Sequence, residues 1–477
     1  MNGATRVLDV DICVIGAGSG GLSVAVGASQ MGASTVLIER GKMGGDCLNY
    51  GCVPSKALLA AGHAAEAARQ AGRFGIDGGA PRIDGRRVHD HVHGVIAAIA
   101  PNDSVERLEG LGVTVIKGQA RFTGAAQVEA GEIRVNARRF VVATGSSPFV
   151  PPIQGLSGVP FLTNETIFDL NSVPEHLIVV GGGPIGIEMA QAHRQLGSRA
   201  TVLEMFTILP KDDPELVDVV RARLRTEGIE VREAVKVVGV AATKAGVSVT
   251  VAEDGRESRI EGSRLLVAAG RRPNVDGLDL EKAGVAYSAK GVEVDGRLRT
   301  TNHKVFAIGD VAGGYQFTHM ASYHAGIVIK NALFRIPAKQ DTRCVPWVTY
   351  TAPELAQVGL IEQEARKRHG EIRVLRWPYH DNDRAQAERL TDGLVKAVIT
   401  PRGHILGAGI VGAAAGELIQ TWVLAMSRKI KIGALATMIA PYPTLGEINK
   451  RAAGSFYTPS LFSERTRKIV RFLARFG

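Results

Sequence analysis

Cysteine is scarce in this chain, and the scarcity is its first constraint. Only Cys13, Cys47, Cys52 and Cys344 occur in 477 residues. Two of them are isolated in sequence, which excludes the disulfide framework of a small secreted scaffold. Aromatic residues are few as well, at 5%. With no recognisable nucleic-acid module, the formal charge of +10 does not point to nucleic acid. It suits phosphate-bearing cofactors or an anionic surface. No segment approaches the roughly 18 uninterrupted apolar residues of a membrane span. Met1 to Asp9 also lacks an apolar run of signal-peptide length, so a cytoplasmic protein is expected. The length allows roughly three domains.

What the chain does have is a repeat. Val10-Asp11-Ile12-Cys13-Val14-Ile15 reads as a buried strand, and Cys13 within it as a small buried hydrophobe. Gly16-Ala17-Gly18-Ser19-Gly20-Gly21 follows, then an Ala-rich helical run, then a second strand ending at Glu39. Gly16 permits a tight turn, Gly18 lets backbone approach a pyrophosphate, and Gly21 lets helix and strand pack closely. The free N–H groups at the helix start favour phosphate, and Glu39 is placed to bond a ribose. The pattern returns as Leu177 to Val180, Gly181-Gly182-Gly183-Pro184-Ile185-Gly186, a helix, and a strand ending at Glu204. Glu39 lies 23 positions beyond Gly16, and Glu204 lies 23 beyond Gly181. Each unit closes on a strand entering a small-residue turn, at Thr144-Gly145 and at Ala269-Gly270. Two dinucleotide-binding units are expected.

Two cysteines five apart stand in Gly44-Gly45-Asp46-Cys47-Leu48-Asn49-Tyr50-Gly51-Cys52-Val53-Pro54-Ser55-Lys56, between the first unit and a helical stretch. A stapling disulfide, buried thiols and a redox pair are the three readings. Nothing else suggests an oxidising compartment, which favours the third. Leu48 to Glu109 reads as mostly helical and Gly112 to Ala137 as strand-rich. Val305 to Asp310 reads as a strand ending in an acid at a turn, followed by a helix over about 318–334. From Cys344 on, strands and helices alternate without a nucleotide motif. The fold class is α/β, with two Rossmann-like dinucleotide domains and a C-terminal α+β domain. The boundaries fall at 1–151, 152–275, 276–343 (a return to the first domain) and 344–477.

Together, the two glycine loops, the Cys-x4-Cys pair and the Ile308-Gly309-Asp310 turn resemble the flavin-dependent pyridine nucleotide-disulfide oxidoreductases. That family includes dihydrolipoamide dehydrogenase, glutathione reductase and mercuric reductase. The resemblance spans essentially the whole chain. It implies FAD on the first domain, held by Gly16, Gly18, Gly21, Glu39, Gly44, Thr144, Gly145, Gly309 and Asp310. It implies a nicotinamide cofactor on the second, held by Gly181, Gly183, Gly186, Glu204 and Gly270, and a homodimer through the C-terminal domain. By the family pattern Cys52 is the thiolate beside the flavin and Cys47 the exchange thiol. Lys56, one turn beyond Cys52, resembles a lysine that pairs with a glutamate near the flavin, here Glu188. Glu204 would bond both ribose hydroxyls and repel a 2′-phosphate, and Met205-Phe206 follow it without an arginine cluster. NAD is therefore expected over NADP.

The pattern departs from the family at one place. Dihydrolipoamide dehydrogenases and glutathione reductases carry His-Pro-Thr-x-x-Glu, acting across the dimer. This chain reads Tyr442-Pro443-Thr444-Leu445-Gly446-Glu447, and no histidine occurs after His404. A phenol with a pKa near 10 is a poorer base at neutral pH than imidazole near 6.5. Tyr442 thus argues against efficient dithiol exchange, and Glu447 keeps the glutamate position. Mercuric reductases also carry a tyrosine in this region, which makes a soft metal ion an alternative acceptor. Their C-terminal cysteine pair is absent, since Cys344 is the last cysteine. The expected activity is a NADH-driven flavin-disulfide reductase acting on a disulfide, a small electrophile or a soft metal ion, with dihydrolipoamide dehydrogenase or mercuric-reductase-like chemistry as alternatives.

Two other features stand out. His89, His91 and His93 read as part of a loop entering a helix, where alternate residues diverge, and no resident metal is expected. The tail from Ser463 to Gly477 places Ile469, Phe472, Leu473 and Phe476 on one helical face and Arg467, Arg471 and Arg475 on another. Such a helix packs on its own dimer domain, lies on an anionic membrane, or docks to a partner.

Overall fold

In the computed structural model, which describes residues 6–476, the chain forms two compact units. One comprises the residues up to Met205 with Val235–Asp341; the other comprises Phe206–Ala234 and the residues from Thr342 on.

The first unit opens with β1 (Arg6–Ile15), α1 (Ser19–Gln30), β2 (Thr35–Glu39), α2 (Gly45–Asn49), α3 (Cys52–Gln70) and α4 (Gly85–Ile99). β3 (Val113–Lys117), β4 (Ala120–Gly124), β5 (Gln127–Ala130) and β6 (Ile133–Val142) follow. The strands order as β3-β2-β1-β6-β5-β4, and Val305–Ala307 also pairs with β6. β1 is longer than its apolar pattern predicts, because Arg6–Val10 pairs in parallel with Ile133–Ala137. From Ile12 on its residues are buried on both faces, as parallel strands covered by helices are. Each fully buried Val or Ile there contributes about 1.5–3 kcal/mol. Cys13 is among them, fully buried.

The second glycine loop lies in the same unit. His176–Val180 pairs in parallel with Arg199–Leu203 on one side and Arg264–Val267 on the other. The helix Pro184–Gln195 packs against α3. A three-stranded antiparallel sheet, Lys236–Thr243, Gly246–Glu253 and Arg256–Gly262, completes this half.

The second unit is built on five antiparallel strands in the order Pro346–Thr349, Glu354–Gly359, Ile405–Gly412, Leu394–Ile399, Arg373–Pro378. Its core includes the fully buried Trp422, whose indole N–H donates to Asn449 Oδ1 at 2.8 Å. Lys396, buried on the central sheet, holds three carboxylates at 2.8–2.9 Å, those of Asp213, Glu215 and Glu362.

Candidate functional site

The two glycine loops are built alike. Gly16 and Gly181 have φ of +106° and +115°, and a Cβ at either would drive into a facing carbonyl, Ala143 or Ala268. A Cβ on Gly21 or Gly186 would strike the carbonyl of Gly16 or Gly181. Gly18 and Gly183 differ from these, because a Cβ there would meet nothing within 4 Å. Each is the N-cap of its helix, and neither helix has a side-chain cap. Uncapped N–H groups facing open space fit the pyrophosphate of a dinucleotide in both halves.

The two acids also match. Glu39 Oε2 accepts from the Ala17 N–H and Oε1 from the Gly41 N–H, both at 2.6 Å. Glu204 Oε2 accepts from the Gly182 N–H at 2.6 Å. Each carboxylate thus ties its strand end to the glycine loop it faces. Gly44 donates its N–H to the Ala17 carbonyl at 3.0 Å, bringing the cysteine segment to the first loop. Asn274 fastens the Thr144–Gly145 turn, accepting at its carbonyl from Thr144 Oγ1 at 2.7 Å and donating its own N–H to the Gly145 carbonyl at 3.0 Å. Gly270, at φ +127°, precedes Arg271–Pro273, which pairs with Ser146–Pro148.

Cys47 lies in the one-turn helix α2, and Cys52 is the first residue of α3. Their sulfurs are not joined, and a hydrogen bond from the Cys47 thiol to the Cys52 sulfur is the largest influence on the ionisation of each. That bond, the Thr318 hydroxyl 3.3 Å from Cys52 Sγ, and the Lys56 charge bring Cys52 down to about 6 against the opposition of burial. Donating the same bond pushes Cys47 far up, with burial adding to it. A thiolate at Cys52 beside a neutral thiol at Cys47 is the resulting state near pH 7. Lys56 Nζ lies 2.7 Å from Glu188 Oε2, and the Glu188 carboxyl is almost wholly buried on the helix Pro184–Gln195.

A charged network that no local motif announced surrounds this pair. Asp46 Oδ1 lies 3.0 Å from Arg271 Nη2 and accepts from Asn164 Nδ2 at 3.1 Å. Arg271 Nε donates to Ser146 Oγ at 2.7 Å, and Ser146 donates to Asp310 Oδ2 at 2.5 Å. Burial raises Asp310, and the Ser146 and Arg271 contacts oppose the rise. The Cys loop and the Gly309–Asp310 turn are thereby linked, and Asp46 sets a negative charge beside both sulfurs.

In the second unit Tyr442 is exposed and its hydroxyl donates to Asp383 Oδ2 at 2.8 Å. That carboxylate pushes the phenol above its ordinary pKa. Glu447 opens the helix Glu447–Gly454 and is paired with Arg451 at 2.8 Å. The histidine triplet lies within α4, not in a loop: Asp84 caps that helix through the Arg86 and Arg87 N–H groups. His89 and His93, one turn apart, meet at a tilt of 37° with ring centres 4.2 Å apart, while His91 bonds the Ala57 carbonyl at 3.2 Å and His93 the Phe168 carbonyl at 3.2 Å.

Residues 10–325 match the family described as pyridine nucleotide-disulphide oxidoreductase, and residues 345–453 match its dimerisation domain. The chain belongs to this family. It is a class I member, a flavin- and NAD(H)-dependent oxidoreductase with Cys47 and Cys52 as its candidate redox pair. The dimerisation domain supports a homodimeric assembly. A mercuric reductase of Staphylococcus aureus is 34% identical over 451 residues, covering 94% of this chain and 82% of that protein. A dihydrolipoyl dehydrogenase of Geobacillus stearothermophilus is 35% identical over 459 residues, covering 94% and 96%. Among solved structures, the HOCl-induced flavoprotein disulfide reductase RclA of Escherichia coli superposes with a TM-score of 0.84 at 27% identity, covering 93% of this chain and 99% of that one. RclA has also been solved as a Cu(II) complex. Among the described residues of the present oxidoreductase, no helix is long and apolar enough to cross a membrane.

Proposed function

We propose that this oxidoreductase takes electrons from NADH in preference to NADPH and passes them through Cys47 and Cys52 to a soft, thiolate-seeking metal ion. The roles follow the division into an FAD-binding domain (1–151 with 276–343), an NAD-binding domain (152–275) and an interface domain (344–477). Bound FAD supplies a two-electron relay between nicotinamide and sulfur. The chain's own residues do the rest. The glycine loops at Gly16–Gly21 and Gly181–Gly186 hold the pyrophosphates, and Glu204 selects a ribose without a 2′-phosphate. Lys56, anchored by Glu188, favours the thiolate at Cys52. Cys47 meets the acceptor; as the bond between the two sulfurs forms, the Cys47 proton leaves to solvent and the two electrons pass to one two-electron ion such as Hg(II) or to two one-electron ions such as Cu(II).

The observation that carries the metal-ion reading is the state of Tyr442 and Glu447. The tyrosine hydroxyl is spent on Asp383, and the glutamate on Arg451. Neither is poised to move the protons that dithiol–disulfide exchange requires. A metal ion that binds the two sulfurs displaces the Cys47 proton itself and so needs no such base. The metal complex solved for RclA is in keeping with this chemistry.

The test compares NADH oxidation with Cu(II), Hg(II), lipoamide and glutathione disulfide as acceptors, in the unmodified protein and in Tyr442→His. Metal-ion turnover exceeding lipoamide turnover, with the histidine variant gaining on lipoamide, is the expected result. Lipoamide turnover as fast as metal-ion turnover in the unmodified protein defeats the metal-ion reading and restores that of a dihydrolipoamide dehydrogenase. Cofactor choice is checked separately: Glu204→Ser narrows the NADH-to-NADPH ratio of kcat/KM, and an unchanged ratio refutes the role of Glu204.

A further inference from the structure

The match to the dimerisation domain ends at residue 453, but the chain continues into a second helical segment that the catalytic reading does not use. Its main element is the helix Glu464–Leu473, about 15 Å long at 1.5 Å per residue. Ser463 caps it, accepting from the Thr466 N–H at 3.2 Å, and Thr466 Oγ1 donates back to the Ser460 carbonyl at 2.7 Å. The helix start is therefore well defined.

Its apolar face is not. Ile469, Val470, Phe472 and Leu473 are each 48–59% exposed, and Phe476 just beyond is 75% exposed. Leu461 and Phe462, immediately before the helix, are exposed as well. No residue of this helix is buried. At 100° per residue the apolar side chains occupy one side, and Arg467, Lys468, Arg471 and Arg475 cluster on the opposite side. Phe472 and Phe476 meet edge to face with ring centres 5.2 Å apart, keeping the aromatic surface together. Short helices in proteins owe most of their stability to a buried apolar face, so a helix with a continuous uncovered one is built to meet something outside its own chain.

The charge distribution says what. Five cations (Arg465, Arg467, Lys468, Arg471 and Arg475) stand against the single acid Glu464 over twelve residues. An apolar side rich in Phe, Leu and Ile, backed by arginines long enough to reach sideways to phosphates, matches a bilayer surface. Each basic residue near an anionic leaflet adds attraction that salt weakens. The helix is far too short to span, so the contact is peripheral.

We infer that the C-terminal helix Glu464–Leu473, with Phe476, docks this oxidoreductase peripherally onto membranes rich in anionic phospholipid. The inference does not depend on which acceptor the enzyme reduces.

The test is vesicle flotation of the full-length, FAD-loaded protein. Vesicles are made of phosphatidylcholine alone or of phosphatidylcholine with phosphatidylglycerol in a three-to-one ratio, a composition of about that of a moderately anionic membrane. The proteins compared are the unmodified chain, a charge variant (Arg471→Glu with Arg475→Glu) and an apolar variant (Ile469→Asp with Phe472→Asp). Expected are binding to the anionic vesicles at least about tenfold above that to phosphatidylcholine alone, and loss of most of it at high salt or in either variant. NADH oxidation and dimer mass should stay unchanged in both variants. Absent or lipid-indifferent binding overturns the proposal, and so does anionic binding that survives both variants. A fall from dimer to monomer in the apolar variant also overturns it, because the face would then belong to the subunit interface.

Discussion

The two glycine loops are near copies in backbone and opposites in surroundings. Both carry left-handed first glycines, helix-packing third glycines and an acid that grips the loop. Around the first loop, however, the chain has added a second layer: Gly44 bonded to Ala17, the cysteines beyond it, and the Asp46–Arg271–Ser146–Asp310 network. Around the second loop the helix adds Glu188, turned toward Lys56 of the first half. The comparison teaches that nucleotide binding is fixed by a few positions without side chains. Redox chemistry is fixed by where charges are set beside a helix start.

The sharpest way to break the equivalence is to fill the packing glycines. Gly21→Val and Gly186→Val each force a side chain into a backbone carbonyl, and each should cost about 3 kcal/mol or more, or prevent folding. Thermal melts of the two variants should fall together; a harmless Gly186→Val would show that the second loop is not built like the first. Next comes the tie between the halves. Lys56→Met takes the cation away from the buried Glu188 carboxylate and should cost about 2 kcal/mol, less than a fully buried pair because the Lys56 side chain is 37% exposed. Glu188→Gln should cost less, since an amide tolerates burial better, and denaturant melts in which it costs more would reverse the assignment.

Gly18→Ala and Gly183→Ala sharpen the comparison from the other side. Neither Cβ clashes, so stability should change by no more than about 0.5 kcal/mol. Each should selectively weaken its own cofactor by about tenfold, read as FAD retention for Gly18 and as KM for NADH for Gly183. Crossed effects would mean the two assignments are exchanged. The smallest effect is a titration. With Cys52 at about 6 and an ordinary thiol near 9, the Cys52 thiolate grows in as pH rises through 6 and is lost below it. Its contribution to stability is therefore fully present above pH 9 and falls away through pH 6. Thiolate absorbance near 240 nm, compared with Cys52→Ser, reports it. Asp46→Asn should move the midpoint to lower pH, because that carboxylate's charge raises both sulfurs.

Much of this is legible in the sequence, because the informative residues are close together in it. The glycine spacings, the Cys-x4-Cys pair and the equal offsets of Glu39 and Glu204 are local patterns. Lys56 and Glu188 were recoverable because each sits at a fixed distance from a motif. Arg271 and Asn164 are not, since they reach Asp46 from more than ninety residues away, and Ser146 joins them through Arg271. Thr318 reaches Cys52 from still farther. The histidine triplet, expected at a loop, is helical for a local reason: Asp84 caps a helix that begins four residues before it. Among the described residues of the single chain, the tail's apolar side chains from Ile469 to Phe476 remain about half or more exposed.

One feature of the first unit carries a mechanical meaning. α3 starts at Cys52 and runs against the helix that starts after the second glycine loop, and the two meet at Gly62. A side chain there would press on Ala192 and Gln195 at 3.0–3.4 Å. The two helices are thus parallel rulers laid edge to edge, with their zero marks at the sulfur and at the pyrophosphate loop. How closely the cysteine helix lies on the helix of the second glycine loop is gauged by the missing methyl of one glycine, and a side chain there would part the two.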